Sequence, residues 1–469
     1  MSHLSRLDQR YLWHPFTQMQ DWLRQKPIVI TSGKGAVLRD ESGREYLDGN
    51  SSIWTNLHGH SHPVINSAIR RQLGKIAHSS ALGLANEPAS LLGERLVKIA
   101  VRPKKQAVKG NPLLSRVFFS DDGSTAMEVA LKLAYVHAQR SGRARKPRFL
   151  SLEGAYHGDT VGAVALGHID LFHKAYSGLL FKSDQVMAPY CYRCRFNRAR
   201  PERGDARDYR KCRHECLDLL AKKFESRQRS KESYAAFVFE PLMQGAAGMI
   251  PQPTGWLRQA AEIARHHGAL LIADEVMTGF GRTGSTFASH QEGVQPDFLA
   301  LAKGLTGGYV PMAATMTTQK VFESFLGDYS EFKTFFHGHS FTGNQIGAAA
   351  ALASLELLAA TEGVAHRKSL QRRLAQELQS VWRLPQVGDI RQVGLVVGIE
   401  LVRDWSMREP FELRERFGIR VCEAMARRGV LTRPIGNVIV LMPPYCVTTK
   451  QVTKMVSVLT EAIEETARG

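Results

Sequence analysis

The sequence predicts an α/β protein, a large domain around a mostly parallel sheet with a smaller lobe formed by both chain ends. Between residues 115 and 330, short apolar runs alternate with helical periodicity, the pattern of repeated β-α units. Strand-like runs recur at 387–402 and 438–442 around a helical stretch at 412–428, beyond the end of that large unit. The chain has 469 residues, 43% hydrophobic and 23% charged, enough for two or three domains and a substantial core. Residues 1–60 are assigned to the N-terminal part of the small lobe and 61–344 to the large domain. Residues 345–469 form the connecting helix and the C-terminal part of the small lobe.

In chain order, the first forty residues carry Tyr11, Trp13, Phe16 and Trp22, then an apolar run at 34–38 and a turn at 40–43. Residues 61–102 read as mainly helical, with Ile65, Ile69 and Leu73 on one face and a second helix at 91–99. Strands are expected at 116–120, 148–152, 235–240, 269–274, 298–302 and 310–315. An insertion near 190–232 begins as Pro/Tyr/Cys-rich loop and turns helical at 215–225. The alanine-rich helix at 346–360 contains Ser354 and Glu356 and suits close packing inside a globule, so no membrane segment is expected.

There are 62 Lys and Arg against 44 Asp and Glu, a formal charge of +18 that favours anionic partners. The bias concentrates at 140–148 and 191–216. With few interleaved aromatics these stretches read as solvated loop faces rather than a nucleic-acid surface. Six cysteines are too few for a disulfide framework and the N-terminus lacks a secretory apolar core, which points to a cytoplasmic protein. Cys191-x-x-Cys194 with Cys212-x-x-x-Cys216 is the best metal alternative, but its unequal spacing favours free cysteines. His157, His337 and His339 lie in glycine-rich loops without metal-motif spacing. No metal is expected.

Ser120-Asp121-Asp122-Gly123-Ser124-Thr125-Ala126-Met127-Glu128 links a strand to a helix. Gly123 permits a tight turn, Ser124 offers a hydroxyl, and the helix N-terminus presents N–H groups to a phosphate; helix capping alone explains the same residues. The apolar run 269–273 ends in Asp274 and Glu275, on the ligand side of an open sheet. Beside a pyridine nitrogen, Asp274 favours its protonated form. Lys303 lies just past the strand at 298–302. Desolvated there, it can act as a nucleophile and proton carrier; taken alone, it reads better as a surface lysine.

Together these residues resemble a class III, pyridoxal-phosphate-dependent aminotransferase over essentially the whole chain. Tyr11-Leu12-Trp13-His14-Pro15-Phe16-Thr17-Gln18-Met19, Ser51-Ser52-Ile53-Trp54, the segment 154–160 and Leu431-Thr432-Arg433-Pro434 are similar to the branch of biotin biosynthesis that aminates 8-amino-7-oxononanoate. The resemblance implies fold type I and a homodimer with two interface sites. It makes Lys303 the anchor of pyridoxal 5'-phosphate, Gly123 and Ser124 its phosphate contacts, and Tyr156 its cover. It further implies that Asp274 engages the ring nitrogen and that Glu240 supports the site. His339 and Ser340 are expected to reach a neighbouring subunit's cofactor. Phe16, Ile53, Trp54, Tyr156, Gly338 and Arg433 are expected to line the substrate site, with Arg433 receiving the acceptor's carboxylate. In the S-adenosylmethionine-using branch, Trp is expected where Ile53 stands and Tyr where Phe16 stands. S-adenosylmethionine is the donor the resemblance implies and lysine its competitor. Another class III acceptor and a noncatalytic phosphate- or nucleic-acid-binding protein are the alternatives.

Overall fold

A computed structural model describes residues 1–101, 113–143, 146–229 and 232–468. Ala144 and Arg145 of the first basic stretch, Arg102 and residues 230–231 of the insertion lie outside the described residues.

The large domain is built on a seven-stranded sheet. Its spatial order is Leu114–Ser120, Ala313–Thr318, Phe298–Leu301, Leu270–Asp274, Tyr234–Phe239, Arg148–Leu152 and Asp184–Val186. Every expected strand is present, with Ala313–Thr318 starting three residues later than read. Ala313–Thr318 is antiparallel to both neighbours and the other pairings are parallel. Tyr234–Phe239 and Leu270–Asp274 are buried at every position, because helices cover both faces of the sheet; such strands show continuous apolar runs rather than alternation. Asp184–Val186 escaped sequence reading because three residues at a sheet edge carry no period.

The smaller lobe uses both ends, as expected. Ile30–Lys34, Val37–Asp40 and Glu45–Asp48 pair in sequence, and Val430–Leu431 adds to Glu45–Asp48 in parallel. The run read as one strand at 387–402 is a hairpin, Val387–Val393 with Val396–Asp404, turning at Gly394. The aromatic N-terminus forms helices His3–Tyr11 and Met19–Arg24, which the sequence reading left unassigned, and Trp13 stays largely exposed. The alanine-rich helix Gln345–Ala359 packs against Pro63–Leu73 and Glu87–Ala100 and is buried around most of its circumference. No single helix among the described residues is long and apolar enough to cross a membrane.

The insertion puts part of its charge to structural use. Arg193 pairs with Glu400 at 2.7 Å, Arg203 donates to the carbonyls of Leu384 and Val387, and Arg207 binds Asp205 and the Gln392 carbonyl. These three arginines stitch the insertion to the C-terminal lobe, whereas Arg195, Arg198, Arg200, Lys211 and Arg213 stay exposed, as expected of a solvated loop face. Sequence spacing hides their partners in that lobe, which lie between 181 and 207 residues away. Among the described residues, no group of three or more His, Cys, Asp or Glu side chains is placed to hold a metal, the four insertion cysteines included.

Candidate active site

Four parallel strands deliver side chains to one cavity of 610 Å³ at their C-terminal ends. Asp274 ends Leu270–Asp274, Glu240 follows Tyr234–Phe239, and Lys303 follows Phe298–Leu301. The loop carrying Tyr156 and His157 follows Arg148–Leu152. On the same side, Leu114–Ser120 leads into helix Gly123–Arg140, whose first turn opens on the cavity. This is the ligand side of an open α/β sheet.

Asp122, rather than a serine or threonine, is the cap of that helix: its carboxylate accepts from Thr125 N at 2.8 Å and Thr125 Oγ1 accepts from Asp122 N at 2.9 Å. Gly123 is required by crowding rather than by an unusual turn, since a Cβ there would lie 2.6 Å from Val276 Cγ1. Ser124 Oγ sits 2.7 Å from Thr160 Oγ1 and accepts from Thr160 N at 2.9 Å. These bonds clamp the 154–160 loop onto the helix start.

Asp274 is buried, and Val276 N donates to its Oδ1 at 3.0 Å. His157 Nδ1 donates to Oδ2 at 2.7 Å. Burial opposes charge on His157, but the bond and charge of Asp274 outweigh it and hold the imidazole above its usual range. Glu240 accepts from Gly245 N at 2.8 Å and is pushed up to about 7, first by burial and then by the Asp274 charge. Burial lowers the Lys303 ammonium against the pull of Asp274 and Glu240. Lys303 itself has φ of 45°, uncommon for a residue with a side chain, and its Nζ lies 5.3 Å from the centre of the Trp54 ring. Tyr156 Oη donates to Asp159 at 2.6 Å, and its ring meets Phe16 and Phe172 edge-on.

A family model for class-III aminotransferases matches residues 19–463. The chain belongs to the class-III aminotransferase family. The aminotransferase is 46% identical over 462 residues to adenosylmethionine-8-amino-7-oxononanoate aminotransferase of Geobacter sulfurreducens, covering 98% of this chain and 97% of the relative. It is 42% identical to the Aquifex aeolicus protein of the same name, with the same coverage. The crystal structure of the Methanocaldococcus jannaschii protein of that name superposes with a TM-score of 0.89 at 39% identity, covering 98% of both chains. An omega transaminase of Pseudomonas jessenii solved in complex with PMP matches with a TM-score of 0.89 at 27% identity, covering 100% of this chain and 99% of that one.

The aminotransferase's donor set fits pyridoxal phosphate: a helix N-terminus for the phosphate, a buried carboxylate for the ring nitrogen, and a desolvated lysine, all opening on one cavity. Of the residues expected from sequence, Gly123, Ser124, Trp54, Tyr156, Glu240, Asp274 and Lys303 meet there. Phe16, Ile53, Gly338, His339, Ser340 and Arg433 lie outside the lining that one chain provides. The wall is Trp54 and not Ile53, which is half exposed. His339 instead approaches Asp121 at 3.5 Å. Sequence reading missed His157 as the partner of Asp274, having weighed it only as a metal ligand, and missed Asp159. A carboxylate at a buried strand end needs a donor, and the loop after the neighbouring strand was the place to seek one.

Proposed function

We propose that this aminotransferase moves an amino group from S-adenosylmethionine to 8-amino-7-oxononanoate, forming 7,8-diaminononanoate for biotin, as a cytoplasmic homodimer. The end-to-end identity with relatives named for that reaction carries the reading, and the cavity chemistry supports it.

Bound pyridoxal phosphate supplies an electron sink for the charge left on the donor's alpha carbon when its proton departs. Lys303 is the group that takes and returns that proton; burial keeps a larger share of its Nζ neutral and basic. His157, bonded to one carboxylate oxygen, fixes Asp274, which would engage the ring nitrogen of the bound cofactor, and the histidine N–H supports the carboxylate's negative charge. Trp54 and Tyr156 wall the reacting centre and exclude water. Arg433, exposed on one chain, receives the acceptor's carboxylate, and each subunit's Gly338, His339 and Ser340 serve the other subunit's site.

Lysine is the second donor reading, favoured by Ile53 and Phe16 at the two departing positions. Mass-resolved amino transfer to 8-amino-7-oxononanoate, run in parallel with S-adenosylmethionine and with lysine, decides between them. Product with S-adenosylmethionine is expected, and product with lysine alone reassigns the donor. Product from neither, with cofactor still trapped by borohydride on Lys303, points to another class III acceptor. Lys303→Ala is expected to abolish the trapped adduct and slow transfer about 10³-fold or more.

A further inference from the structure

We infer that Asp48 is a positioning residue for the transfer reaction, holding a left-handed turn that sets Trp54 against Lys303. Ser51, Ser52, Ile53 and Trp54 have φ of 47°, 48°, 61° and 67°. L-residues visit this region singly, and a β-branched isoleucine least of all, so a run of four must be held from outside.

Asp48 ends strand Glu45–Asp48 and is buried beneath the turn. Its Oδ1 accepts from Ser52 N at 3.0 Å and Asn50 N at 3.3 Å, and its Oδ2 accepts from Ser52 Oγ at 2.9 Å. His60 Nε2 completes the set at 2.9 Å from Oδ2, and its Nδ1 lies 3.1 Å from Asn56 Nδ2. Ser51 Oγ donates to the Met442 carbonyl at 2.6 Å, and Arg282 grips the carbonyls of Trp54 and Asn56 beyond the turn. Asp48 therefore holds the middle of a segment fixed at both ends. The turn's hand decides which residue enters the cavity: Trp54 lies over Lys303 Nζ, whereas Ile53 points away from the lining. The Trp54 indole N–H is buried without a partner beside that cavity.

The inference rests on Lys303 holding the cofactor, so borohydride trapping on wild-type enzyme is the first control. Failure to trap there removes the reading of the site, whereas trapping followed by unaltered variants removes only the role of Asp48. The test compares holoenzyme with Asp48→Asn and with Asp48→Asn/Ser52→Gly, because glycine takes a left-handed conformation without a holder. Asp48→Asn is expected to lower kcat/KM about tenfold or more. It is also expected to shift the pH midpoint of the bound cofactor's visible absorbance, since the indole face no longer lies over Nζ. Adding Ser52→Gly is expected to restore both. Unchanged kinetics and spectrum in Asp48→Asn overturn the inference, as does a loss that glycine does not repair. If Asp48→Asn does not fold, Ser52→Ala and Ser52→Gly carry the same test. Alanine loses the bond and keeps the conformational penalty, so it alone is expected to be impaired, and equal behaviour of the two overturns the inference.

Discussion

His157, Asp274 and Glu240 form a buried trio in which one proton decides the balance of charge. Glu240 is raised from 4.5 to about 7, so the folded chain keeps its proton where the unfolded chain has released it. Stability from this group is complete below pH 4.5 and is lost as pH rises towards 7, by up to about 3 kcal/mol. Glu240→Gln has no proton to lose. In cofactor-free protein its melting temperature is expected to gain on wild type steadily between pH 4.5 and 7, then run parallel above. A constant difference across that window contradicts the charge assignment.

At the scale of the element, helix Gly123–Arg140 reaches the cavity only because its first residue has no side chain. Gly123→Ala is expected to cost about 1–3 kcal/mol in urea unfolding and to weaken cofactor binding, with Val276→Ala restoring both. Such elements differ in how far the sequence reveals them. The run 269–273 is a buried parallel strand because all its positions are apolar, and Lys303 is placed by the strand before it. The turn at Ser51–Trp54 is invisible, since nothing in Ser-Ser-Ile-Trp favours left-handed backbone; its cause is Asp48 and tertiary contacts. Family resemblance brought Trp54 into the site, but only the folded backbone separates it from Ile53. The hairpin at Gly394 was hidden because both its strands are buried and the apolar run barely pauses.

Across the whole molecule, Arg391 joins three regions. It binds Asp389 at 3.0 Å and Glu400 at 2.5 Å, and its Nε donates to the Met249 carbonyl at 2.7 Å. Glu400 in turn holds Arg193 of the insertion. Burial raises Asp389 to about 7 even beside this guanidinium. Arg391→Leu is expected to cost about 3–5 kcal/mol by chemical denaturation, because it strands the buried Asp389 carboxylate and leaves Glu400 to Arg193 and Tyr190. Replacing all three with apolar residues is expected to recover most of that loss. Leu82, Phe336 and Phe341 stand exposed on loops joined by a 2.8 Å bond between His78 and the Ser340 carbonyl. In the proposed homodimer these loops meet the second subunit. Sedimentation at twice the chain mass is expected for wild type, with Phe336→Asp/Phe341→Asp shifting the protein to monomer and releasing cofactor.

The order of strands also sets a timetable for synthesis. Leu114–Ser120, which launches the phosphate-facing helix, lies at the sheet's edge among the described residues, and the strand it pairs with begins at Ala313. A nascent chain therefore carries that strand unpaired while the ribosome adds the 193 residues that take it from Ser120 to Ala313. At about 5–20 residues per second in bacteria-like translation, that wait lasts on the order of ten seconds or more. Cofactor loading is thus an event of a polypeptide already at least 318 of its 469 residues long, and a fragment released before Thr318 lacks the strand that pairs with the one launching the phosphate-facing helix.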